Sequence, residues 1–70
     1  MEIMFINFSK DYDSNKRIVV TKEKAEDLYE TYKAMVENGD GVCVSLNETR
    51  VAFNGEIVQG DCVKCKTNFV

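Results

Sequence analysis

Three cysteines are the first residues of this sequence whose type and spacing could support chemistry. Cys62 and Cys65 form a C-x-x-C pair, and Cys43 is the third thiol. A zinc site usually takes four ligands from cysteine and histidine. Because the chain has no histidine, a metal site here would need all three thiols and a carboxylate. A thiol-based metal site is therefore one hypothesis.

The same pair fits redox chemistry poorly. A redox C-x-x-C normally opens a helix, whose N-terminus lowers the thiol pKa, whereas the residues after Cys65 are typical of a strand. In a regular strand, positions 62 and 65 point to opposite faces of the sheet. We therefore expect structural thiols that stay reduced, and we predict neither a metal nor another cofactor.

The segment Asp11-Tyr12-Asp13-Ser14-Asn15 has the opening pattern of a calcium loop, D-x-D-x-N. The next position should be glycine and is Lys16, and the twelfth should be glutamate and is Lys22. Two decisive positions fail, so the segment is predicted to be a solvated turn.

Catalytic groups are equally scarce. The sequence has no histidine for base catalysis near neutral pH, no phosphate-binding loop and no nucleophile elbow. We predict that the protein is not an enzyme.

An amphipathic helix is predicted from Thr21 to Gly39. Thr21 suits an N-cap and Asn38-Gly39 suits a C-terminal stop. An apolar stripe with helical spacing should face the rest of the fold. Its members are Ala25, Leu28, Tyr29, Tyr32, Met35 and Val36.

The outer side of this helix carries five carboxylates, here called the acidic ridge: Glu23, Glu26, Asp27, Glu30 and Glu37. Like charges three or four residues apart cost a few tenths of a kcal/mol each. A helix selected only for stability would mix the signs more. The ridge is thus either a solvated surface or a site for a basic surface on a partner. Asp11, Tyr12 and Asp13 would extend that site if their loop lies nearby.

The remaining segments have strand patterns. Residues 1–8 are apolar on both faces, which predicts a central strand covered on both sides, or by the helix on one side and a second copy on the other. Residues 18–20 should return antiparallel to it. A last strand is predicted over 62–70.

Between helix and last strand, alternation of apolar residues predicts a meander. Its turns are expected at Glu48-Thr49, at Asn54-Gly55 as type I′, and at residues 59–61. The predicted core face is Val42, Val44, Leu46, Val51, Phe53 and Val58. The predicted opposite face is Cys43, Ser45, Ala52 and Ile57.

These elements predict one domain, residues 1–70, of the two-layer α+β class. One amphipathic helix would pack on a mainly antiparallel sheet of five to six strands, in the order ββαβββ(β).

Composition narrows the class of function. The net charge is −3, and the nine basic residues are scattered, so direct nucleic-acid binding is disfavoured. No apolar run could span a membrane or serve as a signal peptide, which predicts a cytoplasmic protein.

We therefore expect a small acidic protein that binds and modulates, as an inhibitor, a larger protein with a basic surface. Chains of this type are common among phage-encoded inhibitors and regulatory accessory proteins. The alternatives are a homo-oligomer that binds a small ligand between subunits and the thiol-based metal binder. A chain of 70 residues buries a modest core, which favours association with a partner.

Overall fold

The computed structural model describes residues 2–68. Its elements are β1 (Ile3–Ser9), β2 (Lys16–Thr21), α1 (Lys22–Glu37), β3 (Cys43–Val51) and β4 (Ile57–Thr67). The strands form an antiparallel sheet in the order β2-β1-β3-β4, with α1 packed across one face. The α+β class is confirmed, but the described sheet has four strands instead of five or six. Of the predicted end strands, Met1, Phe69 and Val70 lie outside the described residues.

Helix α1 forms where its apolar spacing predicts it. Thr21 is the N-cap in extended conformation, without a side-chain capping bond. At the other end Gly39 adopts φ +87°. Its N–H donates to the Val36 carbonyl at 3.1 Å, and the N–H of Asp40 donates to the Met35 carbonyl at 2.8 Å. These two bonds form a Schellman motif, which glycine accommodates without strain.

The core lies between α1 and the helix-facing side of the sheet. It contains Ile6, Phe8, Ala25, Tyr29, Val36, Val44 and Leu46, all buried. The other stripe residues, Leu28, Tyr32 and Met35, pack against it. The predicted helix stripe is therefore confirmed, and the Phe8 and Tyr32 rings stack with centroids 4.5 Å apart.

Strand β1 takes the predicted central place, between β2 and β3. Ile6 and Phe8 belong to the core under α1, whereas Phe5 is buried but lies outside that cluster. The pairing of Phe5 with Val19 and Asn47 places it on the side of the sheet away from α1. We call that side the open face, because no element within residues 2–68 covers it.

The turn predicted at Glu48-Thr49 is wrong, because β3 is continuous from Cys43 to Val51. The pairing of β1 with β3 begins at Phe5, which lies opposite Asn47. The later residues of β3 therefore pair only with β4. Polar side chains in this part of the strand lie outside the core.

The hairpin closes at Asn54-Gly55, but with a different turn from the one predicted. The Ala52 N–H donates to the Glu56 carbonyl at 2.7 Å, and the Gly55 N–H donates to the Ala52 carbonyl at 2.9 Å. Gly55 has φ +86°, and no non-glycine residue of the described chain has positive φ. A type I′ turn needs two positive φ values, so this is a three-residue loop ending in a left-handed glycine.

That extra loop residue shifts the register of the hairpin. Val51 pairs with Ile57 instead of the predicted Val58. Val51 and Phe53 were predicted in the core and are exposed, because this end of the hairpin extends beyond β1. Val44 and Leu46 are the members of the predicted face that are buried, while Val42 and Val58 are half-buried.

The turn predicted at residues 59–61 is also wrong, since these residues lie inside β4. The register between β3 and β4 shifts around Asn47, so β4 carries extra residues as bulges. The polar residues that suggested a turn therefore lie in an irregular part of β4, where the chain does not reverse.

Candidate interaction surfaces

The acidic ridge of α1 is partly neutralised from within the chain. β4 places Lys64 opposite Leu46 and Lys66 opposite Val44, on the side that faces the helix. The Lys64 ammonium donates a hydrogen bond to the Glu26 carboxylate. Lys66 reaches Glu37 at 3.8 Å. These two ridge positions therefore have structural partners that the sequence pattern did not reveal.

Lys64 also contacts the helix aromatic beside it. Its ammonium lies 4.8 Å from the centroid of the Tyr29 ring, which favours a cation–π interaction. The hydrogen bond to Glu26 raises the pKa of Lys64. Burial raises the pKa of the Tyr29 hydroxyl, and the charge of Lys64 offsets that effect only in part. Lys64 thus packs against the side of α1 that faces β4.

The rest of the ridge faces solvent. Glu30 lies 4.0 Å from Lys33, a long contact within the helix. Glu23 and Asp27 are exposed, and neither forms an ion pair with another residue of the range 2–68. The uncompensated charge of the predicted site is therefore concentrated on the first half of α1.

The loop with Asp11, Tyr12 and Asp13 lies at the other end of the helix. Asp11 borders a shallow depression with Met35 and Gly39, next to the C-terminus of α1. The structure therefore places this loop beside the C-terminal end of α1, and separates it from the acidic residues of the first helical turns.

Within that loop Asp11 has a structural task. Its carboxylate accepts a hydrogen bond from the Asp13 N–H at 2.9 Å, and its own N–H donates to the Ser14 hydroxyl at 3.3 Å. This is an Asx turn. Tyr12, between the two aspartates, is 79% exposed.

The cysteines lie on the open face, which corrects one prediction. Cys62 pairs with Asn47 and Cys65 pairs with Ser45, while Val63 between them is the extra residue of a bulge. The bulge turns both thiols to the same face, where a regular strand would separate them. Burial raises the pKa of the Cys62 thiol, and the neighbouring Cys65 raises it further. A raised thiol pKa is the reverse of what nucleophilic activation requires.

The thiols do not assemble into a metal centre in the described chain. Across residues 2–68 no three side chains among cysteine, aspartate and glutamate lie close enough together to hold a metal ion. Cys43 pairs with Thr67, two residues further along each strand than the pair that contains Cys65.

Sequence reasoning missed an amide cluster at the centre of the open face. The Asn7 amide donates to the side-chain oxygens of Asn47 at 3.1 Å and Gln59 at 3.0 Å. The Ser45 hydroxyl donates to Asn47 at 2.9 Å. Arg17 Nε donates to the side-chain oxygen of Asn7 at 3.4 Å, and its guanidinium lies 5.7 Å from the centroid of the Phe5 ring. Polar residues on alternate positions of paired strands are the signal that could have revealed it.

No family model matches the chain, and the comparisons with curated proteins and with solved structures also find no match. None of the helices within residues 2–68 has the length and apolar character needed to cross a membrane.

Proposed function

We propose that this protein binds a larger protein that presents a basic surface, and inhibits or otherwise modulates it by covering that surface. The observation that supports the proposal is the acidic charge left on the solvent side of α1. Lys64 and Lys66 approach from β4 and reach Glu26 and Glu37, so they compensate only one flank of the helix.

Glu23 and Asp27 are the centre of the proposed contact. They are four residues apart and therefore neighbours on the helix surface, where like charges repel. A basic partner relieves this repulsion and gains attraction over a distance of about a Debye length, ~8 Å at physiological salt. Such charge complementarity accelerates association and makes it sensitive to salt.

The experiment begins by identifying a partner through cross-linking and mass spectrometry, followed by titration of the purified partner. The test variant is Glu23→Lys with Asp27→Lys. The matched control is Asp40→Lys with Glu56→Lys, which changes the net charge equally at exposed positions off the ridge.

The ridge variant should bind at least about tenfold more weakly, mainly through slower association, and with a shallower dependence on salt. The control should bind within about twofold of the native protein at physiological salt. Equal losses in both variants would indicate a general charge effect, and unchanged binding of the ridge variant would move the interface elsewhere.

Tyr12 provides a separate test of whether the loop belongs to this contact. Tyrosine is frequent among the residues that dominate interfaces, and Tyr12 is 79% exposed. Substitution by alanine should weaken binding if the partner reaches the C-terminal end of α1, and should leave binding unchanged if it covers only the first turns.

A further inference from the structure

The open face has the composition of a surface that becomes buried. Among the paired strand positions on this side of the described sheet, Arg17 is the only charged residue, although charged residues make up 30% of the chain. Val19, Val51 and Ile57 are exposed on the same side. Depletion of charge with retention of apolar side chains is what distinguishes the centre of an interface from ordinary surface.

The polar part of this face can be dehydrated without leaving many groups unsatisfied. Asn7, Ser45, Asn47 and Gln59 already bond to one another, and Asn47 is buried within a single chain. No buried side-chain nitrogen or oxygen in the described chain lacks a partner. Burial of a satisfied polar network avoids most of the penalty of removing polar groups from water.

We propose that the open face is the interface of a symmetric homodimer, in which two sheets pack face to face and the two helices lie outside. The molecule measures 39 × 24 × 15 Å. The rectangle enclosed by its two longer dimensions is roughly 900 Å², so an interface of standard size, ~800 Å² per partner, would cover most of this side of the molecule. The face is therefore large enough for a second copy of this chain.

Charge also favours a second copy over a charged partner on this side. The acidic ridge lies on α1, across the sheet from the open face. With sheets stacked about 10 Å apart and a helix beyond each, the two ridges would be roughly 30 Å apart. That is several Debye lengths at physiological salt, so the net charge of −3 per chain does not oppose association.

The amide cluster meets the requirement of two-fold symmetry. A symmetric dimer interface must be complementary to itself, and a carboxamide is both donor and acceptor. The half-buried amides of Asn7 and Gln59 can therefore bond to the same groups of a second copy across the axis, while buried Asn47 stays within the network of its own chain. The dimer would display two acidic ridges on opposite sides, but it does not depend on the proposed partner for its existence.

The test uses the purified protein alone, by light scattering and sedimentation over a range of concentrations. The native chain should rise from 8.0 kDa to about 16 kDa, the mass of a two-fold dimer. A native chain that stays monomeric to roughly millimolar concentration, where even weak interfaces assemble, overturns the proposal.

A pair of matched variants locates the interface. Val19 is 55% exposed on the open face and Val63 is 50% exposed on the opposite side of the sheet, in a depression bordered by Met4 and Glu26. Val19→Lys should weaken dimerisation by on the order of 100-fold, because it buries an unpaired charge. Val63→Lys should leave the dimerisation constant unchanged. A dimer equally insensitive to Val19→Lys, or disrupted by Val63→Lys, contradicts the proposal.

The native thiols give a readout that needs no substitution. Cys62 and Cys65 are exposed in the single chain and lie on the open face, so dimerisation should slow their alkylation in proportion to the dimeric fraction. For the two valine variants, circular dichroism confirms that each is folded. Alkylation rates that do not change while the mass doubles would place the interface on another surface and overturn the proposal.

Discussion

The helix-facing side and the open face of the sheet differ in the charged side chains that they carry. On the helix-facing side, β4 has lysines opposite Val44 and Leu46, and their ammonium groups reach carboxylates of α1. On the open face the same strands place thiols, amides and apolar side chains, with Arg17 as the only charge among the paired positions described.

Charged side chains border the helix-facing side of the described sheet and are nearly absent from the open face. Their distribution therefore indicates which face is already covered within one chain. The lysines of β4 cover the flank of the core with their aliphatic stems while their heads stay in water. The helix-facing side thus has both its apolar centre and its polar rim within one chain. The open face has the apolar and amide centre without a comparable charged rim.

Two phenylalanines of β1 offer the largest test of this difference. Phe8, 6% exposed, packs in the core under α1, and Phe5, 7% exposed, lies on the open face. Phe8→Ala should lower the free energy of unfolding by about 3–5 kcal/mol. Phe5→Ala should cost at least about 1 kcal/mol less, because a site without a second layer can collapse or admit water. Urea unfolding at high dilution measures both.

Concentration separates packing within the chain from packing between chains. If the open face is a dimer interface, the cost of Phe5→Ala should grow with protein concentration, because the native dimer is stabilised by mass action. The cost of Phe8→Ala should stay constant. Equal costs at high dilution would show that the open face is as well packed as the core in a single chain.

Gly41 gives the next largest effect, confined to the helix-facing side. A Cβ at this position would lie 2.7 Å from Cε1 and 2.9 Å from Cζ of Phe8, and 3.3 Å from Cγ2 of Val36. The Phe8 ring cannot move freely because it stacks on Tyr32. Gly41→Ala should therefore cost about 1–3 kcal/mol, measured by urea unfolding. A neutral or stabilising result would show that this end of the core is loosely packed.

The sequence predicted the helix and its contacts well because each signal there is local. The stripe from Ala25 to Val36 has one period over its whole length, and Gly39 ends it by its own conformational freedom. β1 was placed centrally for a similar reason, since apolar residues on both faces are typical of strands inside a sheet rather than at its edge.

The second half of the chain was predicted less well, because its pattern depends on which strands lie alongside. Glu48-Thr49 and Gln59-Gly60-Asp61 have turn-forming composition, yet both lie within strands. They occur where β3 and β4 extend past β1 or bulge, so polar residues meet solvent without a chain reversal. Composition alone does not separate these two cases.

Register explains the errors in the candidate sites. The turn expected at Glu48-Thr49 would have placed Val51 in the core, whereas alternation along the continuous strand β3 places it on the open face. The three-residue loop then changes its partner from Val58 to Ile57. The bulge at Val63 brings Cys62 and Cys65 to one face, where regular alternation separates them. Neither shift is visible in a single sequence, because each depends on backbone geometry of one residue.

The loss of stability at alkaline pH should test the contacts on the side of α1 that faces β4. The pKa of Tyr29 is raised chiefly by burial, so the folded chain holds that proton more firmly than the unfolded chain. Its stabilising contribution is complete below the ordinary tyrosine pKa of about 10 and is lost as pH rises through the higher folded value. Urea midpoints should therefore fall above that pH, and Tyr29→Phe should reduce the fall.

The Tyr29 experiment is best made in a Cys62→Ser background. The raised pKa of Cys62 contributes a loss of the same sign at alkaline pH, which the serine removes. An alkaline decline that Tyr29→Phe leaves unchanged would contradict a role for this hydroxyl.

The smallest effect is expected for the contact between Glu26 and Lys64, which is exposed. The hydrogen bond to Glu26 is the largest cause of the raised Lys64 pKa, so Glu26→Gln should return that pKa toward its ordinary value. NMR titration of the lysine side chain measures this directly, while the melting temperature should hardly change, as is usual for exposed ion pairs. Glu23→Gln is the matched control, since Glu23 makes no ion pair among the described residues, and it should leave the Lys64 titration in place. If both variants shift the titration equally, the ridge acts on β4 as a diffuse charge, and the distinction between its paired flank and its solvent side disappears.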